Sequence, residues 1–276
     1  MSRRRQEERP QKAEPPRSRP RGRLRRAAVV LVGLALLSTA LAAGLVLSGL
    51  IGGSSGPRKA AIVDQLGLTQ PNPDFAASAT SILEQAGYAV DYFPGQQVTV
   101  DLYRNLPTHD YDVVILRVHS GIAEETDITT GEKTMREYVS LFTGEPYRKD
   151  KYPQEPMGRL GMATYYEGAP PLFGIAPDFI TQSMRGSFDK TLIVLMGCDG
   201  LRSPRTGQAF LDKGASAFVG WSESVSASHS DAATLRLLEK SVIEGLSVAD
   251  AVAQTAAELG RDPSYGAELR VLPDGG

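Results

Sequence analysis

The sequence predicts an α/β protein: a mainly parallel sheet flanked by helices on both faces, preceded by one transmembrane helix. Three observations predict it. Unbroken apolar runs such as "VVIL" and "LIVLM" are what strands buried on both faces look like. Amphipathic stretches of helical period alternate with these runs, which is the signature of strand–helix–strand crossovers. Near the N-terminus, Ala27 to Ile51 carries no charge at all. A composition 41% hydrophobic and 22% charged is that of an ordinary globular protein, so the bulk of the chain is expected to fold around a core.

Residues 1–26, "MSRRRQEERPQKAEPPRSRPRGRLRR", are rich in Arg, Pro and Glu and nearly devoid of apolar side chains. They cannot bury a core and are expected to form a basic, disordered tail. The formal net charge of −2 therefore hides an asymmetry: a basic head and an acidic remainder. An acidic globular part argues against nucleic acid as its ligand. Residues 27–51 would reach about 37 Å as a helix, enough to cross a hydrocarbon core of about 30 Å. Arg21, Arg23, Arg25 and Arg26 abut this segment, which by the positive-inside rule puts the N-terminus in the cytoplasm. The rest of the chain is then extracytoplasmic. The small residues of "ALAAG" would suit a cleaved signal peptide, but the apolar run exceeds the usual signal core of about 7–15 residues. An uncleaved, single-pass anchor is the expectation. Residues 52–58 contain "GGSSGP" and read as a linker, and 59–276 as the α/β domain with an insertion at 124–189.

Within the domain, Ala60 to Val63 reads as a strand, and Asp74 to Gln85 as a helix that Gly87 terminates. Ala89 to Phe93 is a second strand, Thr99 to Asn105 a short helix or turn, and Tyr111 to Gly121 a buried strand. Thr191 to Met196 is another. A helix follows with Thr206 as N-cap and Gly214 as C-cap, then a strand over Ala215 to Trp221. Two helices close the domain, Asp231 to Ile243 and Val248 to Leu259, the latter capped by Ser247 and Gly260. The insertion breaks the rhythm. It holds Tyr138, Tyr147, Tyr152, Tyr165 and Tyr166, half of the ten tyrosines, and reads as a hairpin with a lid or binding loop.

Ligands of an open parallel sheet bind beyond the carboxyl ends of its strands. Two such ends carry reactive side chains: His119 after "VVILRV" and Cys198 after "LIVLMG". Cys198 is the sole cysteine, so it makes no disulfide within the chain. A cysteine behind an apolar run is as a rule a small core residue. On neighbouring strands, however, the imidazole and thiol would emerge side by side, the histidine taking the thiol proton and returning it to a leaving amine. The amides of Ser120 or Gly121 and of Cys198 would form an oxyanion hole. His109 and His229 stand in polar stretches. No metal-ligand spacing, P-loop or dinucleotide fingerprint appears, so neither a metal nor a cofactor is expected.

The order of the pair, with "HSG" after one strand and "GCDG" after a later one, resembles the caspase-like cysteine peptidases: caspases, metacaspases, clostripain, gingipains and CHAT domains. It differs from glutaminase-type amidotransferases, whose cysteine precedes the histidine. The stretches "TGQAFLDKG", "ASAFVGW" and "EGLSVADAVAQTAAE" look like those after the nucleophile in CHAT and gingipain-like domains. The resemblance runs from about Lys59 to Leu259. It implies peptide-bond hydrolysis, with His119 as base, Cys198 as nucleophile and a protein or peptide as substrate. Two departures stand out. The family's His-Gly is His-Ser-Gly here, and Met196 occupies the place of an acidic or amide residue that helps select the substrate side chain before the scissile bond. Asp64, Met196, Trp221, Ser222 and Glu223 are then the candidates for that pocket. A catalytically silent binding module that uses the Tyr-rich insertion is the alternative, as is a cysteine hydrolase acting on a non-peptide amide.

Overall fold

The computed structural model describes residues 56–126 and 133–274. The tail 1–26, the apolar segment 27–51 and most of the linker lie outside the described residues. Among the described residues no helix is long and apolar enough to cross a membrane.

Among the described residues ten strands run in chain order as β1 (Arg58–Asp64), β2 (Tyr88–Pro94), β3 (Val113–Arg117), β4 (Ser120–Thr126), β5 (Lys133–Pro146), β6 (Leu160–Ala163), β7 (Leu172–Ile175), β8 (Leu192–Leu195), β9 (Ala217–Trp221) and β10 (Leu269–Leu272). The main sheet has the order β10-β9-β8-β3-β1-β2, parallel throughout except for β10. Its register explains the unbroken apolar runs. Ile62, Ile115, Val194 and Val219 form one row across the sheet and point to one face. Val63, Leu116 and Leu195 point to the other, and all seven are buried. Both faces need cover, and helices supply it.

The helices are α1 (Pro73–Gln85), α2 (Val100–Asn105), α3 (Pro177–Gln182), α4 (Arg205–Asp212), α5 (Ala227–Leu238) and α6 (Val248–Leu259). Phe75, Ala79 and Leu83 of α1 share one core with Leu237 and Leu238 of α5 and with Ala251 and Val252 of α6. Val100 and Tyr103 of α2, Phe179 and Ile180 of α3, and Ala209 and Phe210 of α4 fill the opposite core. Local signals set the ends. Asn72 caps α1 by accepting the Phe75 N–H at 3.1 Å, with Pro73 next in line. Ser247 caps α6 through the Asp250 N–H at 3.1 Å, and Gly260 closes it at φ 72°.

The remaining strands form a second, antiparallel sheet in the order β4-β5-β7-β6. Alternation along β5 decides its role. Val139 and Leu141 join Phe173 and Ile175 in the core, so Tyr138, Ser140 and Phe142 face the other way. A Cβ on Gly174 of β7 would run into Ser140 Oγ and Ala163 Cβ, so only glycine lets the strands close this tightly. Buried Glu145 anchors the insertion to the main body by accepting the Val100 N–H at 3.0 Å and the Tyr152 hydroxyl.

Several sequence expectations are corrected here. The strand expected over Tyr111 to Gly121 ends at Arg117, and Ser120 begins β4 in the other sheet. The apolar pattern hides the break because Arg117 and Val118 are themselves buried. Thr206 is no N-cap: α4 begins at Arg205, and the buried Thr206 hydroxyl bonds the Val139 carbonyl at 2.8 Å, pinning β5. The helix expected at Asp231 begins at Ala227 and passes into a wider π turn, Glu239–Ile243. The insertion is largely a sheet, and β10 was not foreseen.

Candidate active site

His119 follows the end of β3, where the last residue, Arg117, is buried with its charge fully engaged. Its Nη1 donates to Asp64 Oδ1 at 2.8 Å, its Nε to Asp231 Oδ1 at 2.8 Å, and its Nη2 to the Gln70 carbonyl at 3.0 Å. A buried guanidinium is tolerable only with such complete pairing. Two residues on, the chain is held from the loop after β1. The His119 N–H donates to Gln65 Oε1 at 2.8 Å, and the amide nitrogen of the same buried Gln65 donates to the Tyr165 hydroxyl at 2.5 Å. Tyr165 lies against the imidazole with ring centroids 4.7 Å apart, and Phe142 at 6.0 Å. Imidazole Nε2 stands 2.8 Å from Thr69 Oγ1. Burial, assisted by the Arg117 charge, pushes the His119 pKa down to about 4. The ring is therefore neutral near pH 7, able to accept a proton.

Cys198 follows β8, the neighbour of β3; Leu116 and Leu195 are partners in register. Gly197 lies directly beneath the segment that carries the histidine. A Cβ there would collide with Ser120 Oγ and the Val118 carbonyl, so the glycine serves the approach of chain to chain. The Ser120 hydroxyl then ties the two strand ends together, donating to the Cys198 carbonyl at 2.6 Å. The thiol is half-buried and packs beside Trp221, Val225, Ala233 and Ala267. Its Sγ lies 3.7 Å from the Val225 carbonyl. Burial raises the thiol pKa, and the Asp199 and Asp262 carboxylates add to the rise. Asp199 turns its side chain to Arg202, 3.4 Å away.

Both reactive groups line one cavity of about 700 Å³. The main sheet supplies His119, Cys198 and Ser224 at its carboxyl edge, and the second sheet supplies Tyr138, Ser140, Phe142 and Met162. The site also flanks the switch point of the main sheet, since β2 lies on one side of β1 and β3 on the other. No hydrogen bond joins the imidazole to the thiol among the described residues; Thr69 holds one and Val225 the other.

The amide candidates differ. The Cys198 N–H has no protein acceptor among the described residues, whereas the next one, of Asp199, donates to the Glu223 carbonyl at 3.0 Å. Phe142 N–H donates to the His119 carbonyl at 2.9 Å, and Gly121 lies opposite Ser140 two residues further. Antiparallel alternation directs the Gly121 N–H into β5 and the Ser120 N–H away from it.

Of the five pocket candidates, none lines the cavity among the described residues. Asp64 is consumed by Arg117, by the Gly67 N–H at 2.9 Å and by the Tyr92 hydroxyl at 2.8 Å. Met196 is a core residue, and Trp221 is buried with its indole N–H on Ser230 Oγ at 3.0 Å. Ser222 exchanges bonds with Glu268, and Glu223 reaches outward to Arg202 at 3.2 Å. Gln65, Thr69 and Phe142 also shape the site and escape sequence reasoning because each meets His119 across a long stretch of chain, whereas Tyr165 belongs to the Tyr-rich insertion read as a lid or binding loop. His109 stacks on Tyr111 with ring centroids 5.5 Å apart, and His229 lies tilted against Trp221 at 5.3 Å. Among the described residues no three His, Cys, Asp or Glu side chains converge as a metal site would require. No protein-family model and no curated protein matches this chain.

Proposed function

We propose that the protein is a caspase-like cysteine peptidase, hydrolysing peptide bonds through His119 and Cys198. The observation that carries this reading is that the imidazole and thiol, at the ends of adjacent parallel strands, open into the same cavity. The resemblance of the "HSG" and "GCDG" segments to that family, and the chain order of the two residues, point the same way. The domain is extracytoplasmic in this reading, anchored through residues 27–51 with the basic tail in the cytoplasm.

The shifted pKa values choose between two forms of the chemistry. A raised thiol and a lowered imidazole both oppose a standing thiolate–imidazolium pair. Proton transfer therefore accompanies attack. The sulfur bonds the scissile carbonyl carbon as its proton passes to His119, and the oxyanion receives the N–H groups of Cys198 and Ser120. Collapse breaks the C–N bond, and the imidazolium protonates the departing amine. Water then attacks the thioester, giving a proton to His119 that returns to sulfur as the carboxylic acid leaves. Before attack the thiol must turn from the Val225 carbonyl. Digestion of a peptide library by the full chain in detergent tests the proposal, with Cys198→Ala as control. Cleavage that disappears with Cys198→Ala is the expected result; identical products from both would refute it.

The silent binding module draws support from one feature, the separate engagement of thiol and imidazole. That reading predicts a partner whose binding is unchanged by Cys198→Ala.

A further inference from the structure

We propose that Thr69 is a positioning residue for the reaction at Cys198: its hydroxyl fixes the His119 imidazole with Nε2 protonated, leaving Nδ1 as the base. The proposal rests on the peptidase reading for its chemistry but not for its geometry. Thr69 follows a one-turn 3-10 helix, Leu66–Leu68, after β1, fifty positions from His119 in the chain. Its Oγ1 lies 2.8 Å from Nε2 and 3.3 Å from the Leu66 carbonyl. That carbonyl is an acceptor only, so it takes the hydroxyl proton, and Oγ1 is left to accept the Nε2 proton. An imidazole with Nε2–H has its free lone pair on Nδ1.

The rest of the shell lets this one bond set the tautomer. Gln65 holds the backbone of His119, while Tyr165 and Phe142 contact the ring through their faces and edges. Among the described residues Thr69 alone makes a hydrogen bond to the ring. When Nδ1 takes the thiol proton, the ring gains a positive charge, and the Nε2–H···Oγ1 bond strengthens as it does so. No atom need move for this: the hydroxyl already directs its proton to Leu66. When Nδ1 releases the proton to the amine, the same arrangement is restored.

Thr69 is exposed, which limits the effect and makes substitution safe for folding. One exposed hydrogen bond is worth about a three- to tenfold change in rate. Thr69→Val keeps the shape and removes the hydroxyl; Thr69→Ser keeps the hydroxyl. The measurement is a two-bond ¹H–¹⁵N correlation spectrum of the full chain in detergent, labelled at histidine, with His119→Gln to assign the signal. Wild type and Thr69→Ser should show the Nε2–H tautomer, and Thr69→Val a mixture. The rate at which a peptidyl electrophile alkylates Cys198 should fall about three- to tenfold in Thr69→Val and stay within about twofold in Thr69→Ser. An Nδ1–H tautomer in the wild type would overturn the proposal. So would a Thr69→Val protein with unchanged tautomer and rate, or equal losses in both variants, which would implicate packing. The tautomer readout stands even if no peptide is ever cleaved, so the two readings fail separately.

Discussion

The two sheets differ in what they contribute to the same cavity. The central strands of the main, mostly parallel sheet are buried on both faces by helices, and their ends place His119 and Cys198. The antiparallel sheet is buried on one face by Val139, Leu141, Phe173 and Ile175, and turns Tyr138, Ser140 and Phe142 to the cleft. On the proposed reading the chemistry sits on the element held from both sides, and the walls that would meet a substrate sit on the element held from one. Rigid placement of a nucleophile and base matters to within fractions of an ångström, whereas a binding wall tolerates adjustment.

Substitutions at the strand ends should give the largest effects. Cys198→Ala should abolish turnover, and His119→Ala should slow it by about 10²-fold or more, the range of a lost general base. Steady-state rates on a peptide substrate check both. Next comes Arg117→Met, which strands Asp64 and Asp231 without their cation. Breaking such a buried pairing costs about 3–5 kcal/mol, measurable by urea unfolding. Gly197→Ala forces Cβ into Ser120 and Val118 and should cost about 1–3 kcal/mol while separating the two strand ends. In the second sheet, Met162→Ala should raise KM severalfold yet leave alkylation of Cys198 by iodoacetamide within about twofold. If Met162→Ala slowed iodoacetamide as much as His119→Ala does, the division of labour between the sheets would fail.

pH sharpens the comparison further. His119 holds its proton less tightly when folded than the ordinary value near 6.5, so the unfolded chain binds more protons in the interval below it. Stability should therefore fall as pH drops from about 6.5 towards about 4, and His119→Gln should remove that part of the dependence. Thermal melts across that range would show it.

The same difference governs how much could be read from the chain. β1, β3, β8 and β9 are legible because burial on both faces leaves apolar runs such as Val113–Leu116. Those runs bring His119 and Cys198 to the carboxyl side of adjacent strands, although the buried Arg117 and Val118 conceal where β3 stops. β6 and β7 are four residues each and contain Gly161 and Gly174, and half-buried β10 reads "LRVL", so neither propensity nor periodicity marks them. The pocket candidates lie off the cavity for a different reason. Asp64, Trp221, Ser222 and Glu223 do stand at or just past carboxyl strand ends, but Arg117, Ser230, Glu268 and Arg202 occupy their polar groups. Only packing shows that, and only packing brings Thr69 to His119.

The central claim is that His119 and Cys198 act on each other across one cleft. The most direct measurement is the second-order rate of Cys198 alkylation by a peptidyl acyloxymethyl ketone, followed against pH in the wild type and in His119→Ala. The wild type should react far faster than a free thiol, with an acid limb near pH 4 where His119 becomes protonated. His119→Ala should lose about 10²-fold and that limb together. Identical profiles in the two proteins, at the rate of a free thiol, would contradict the account.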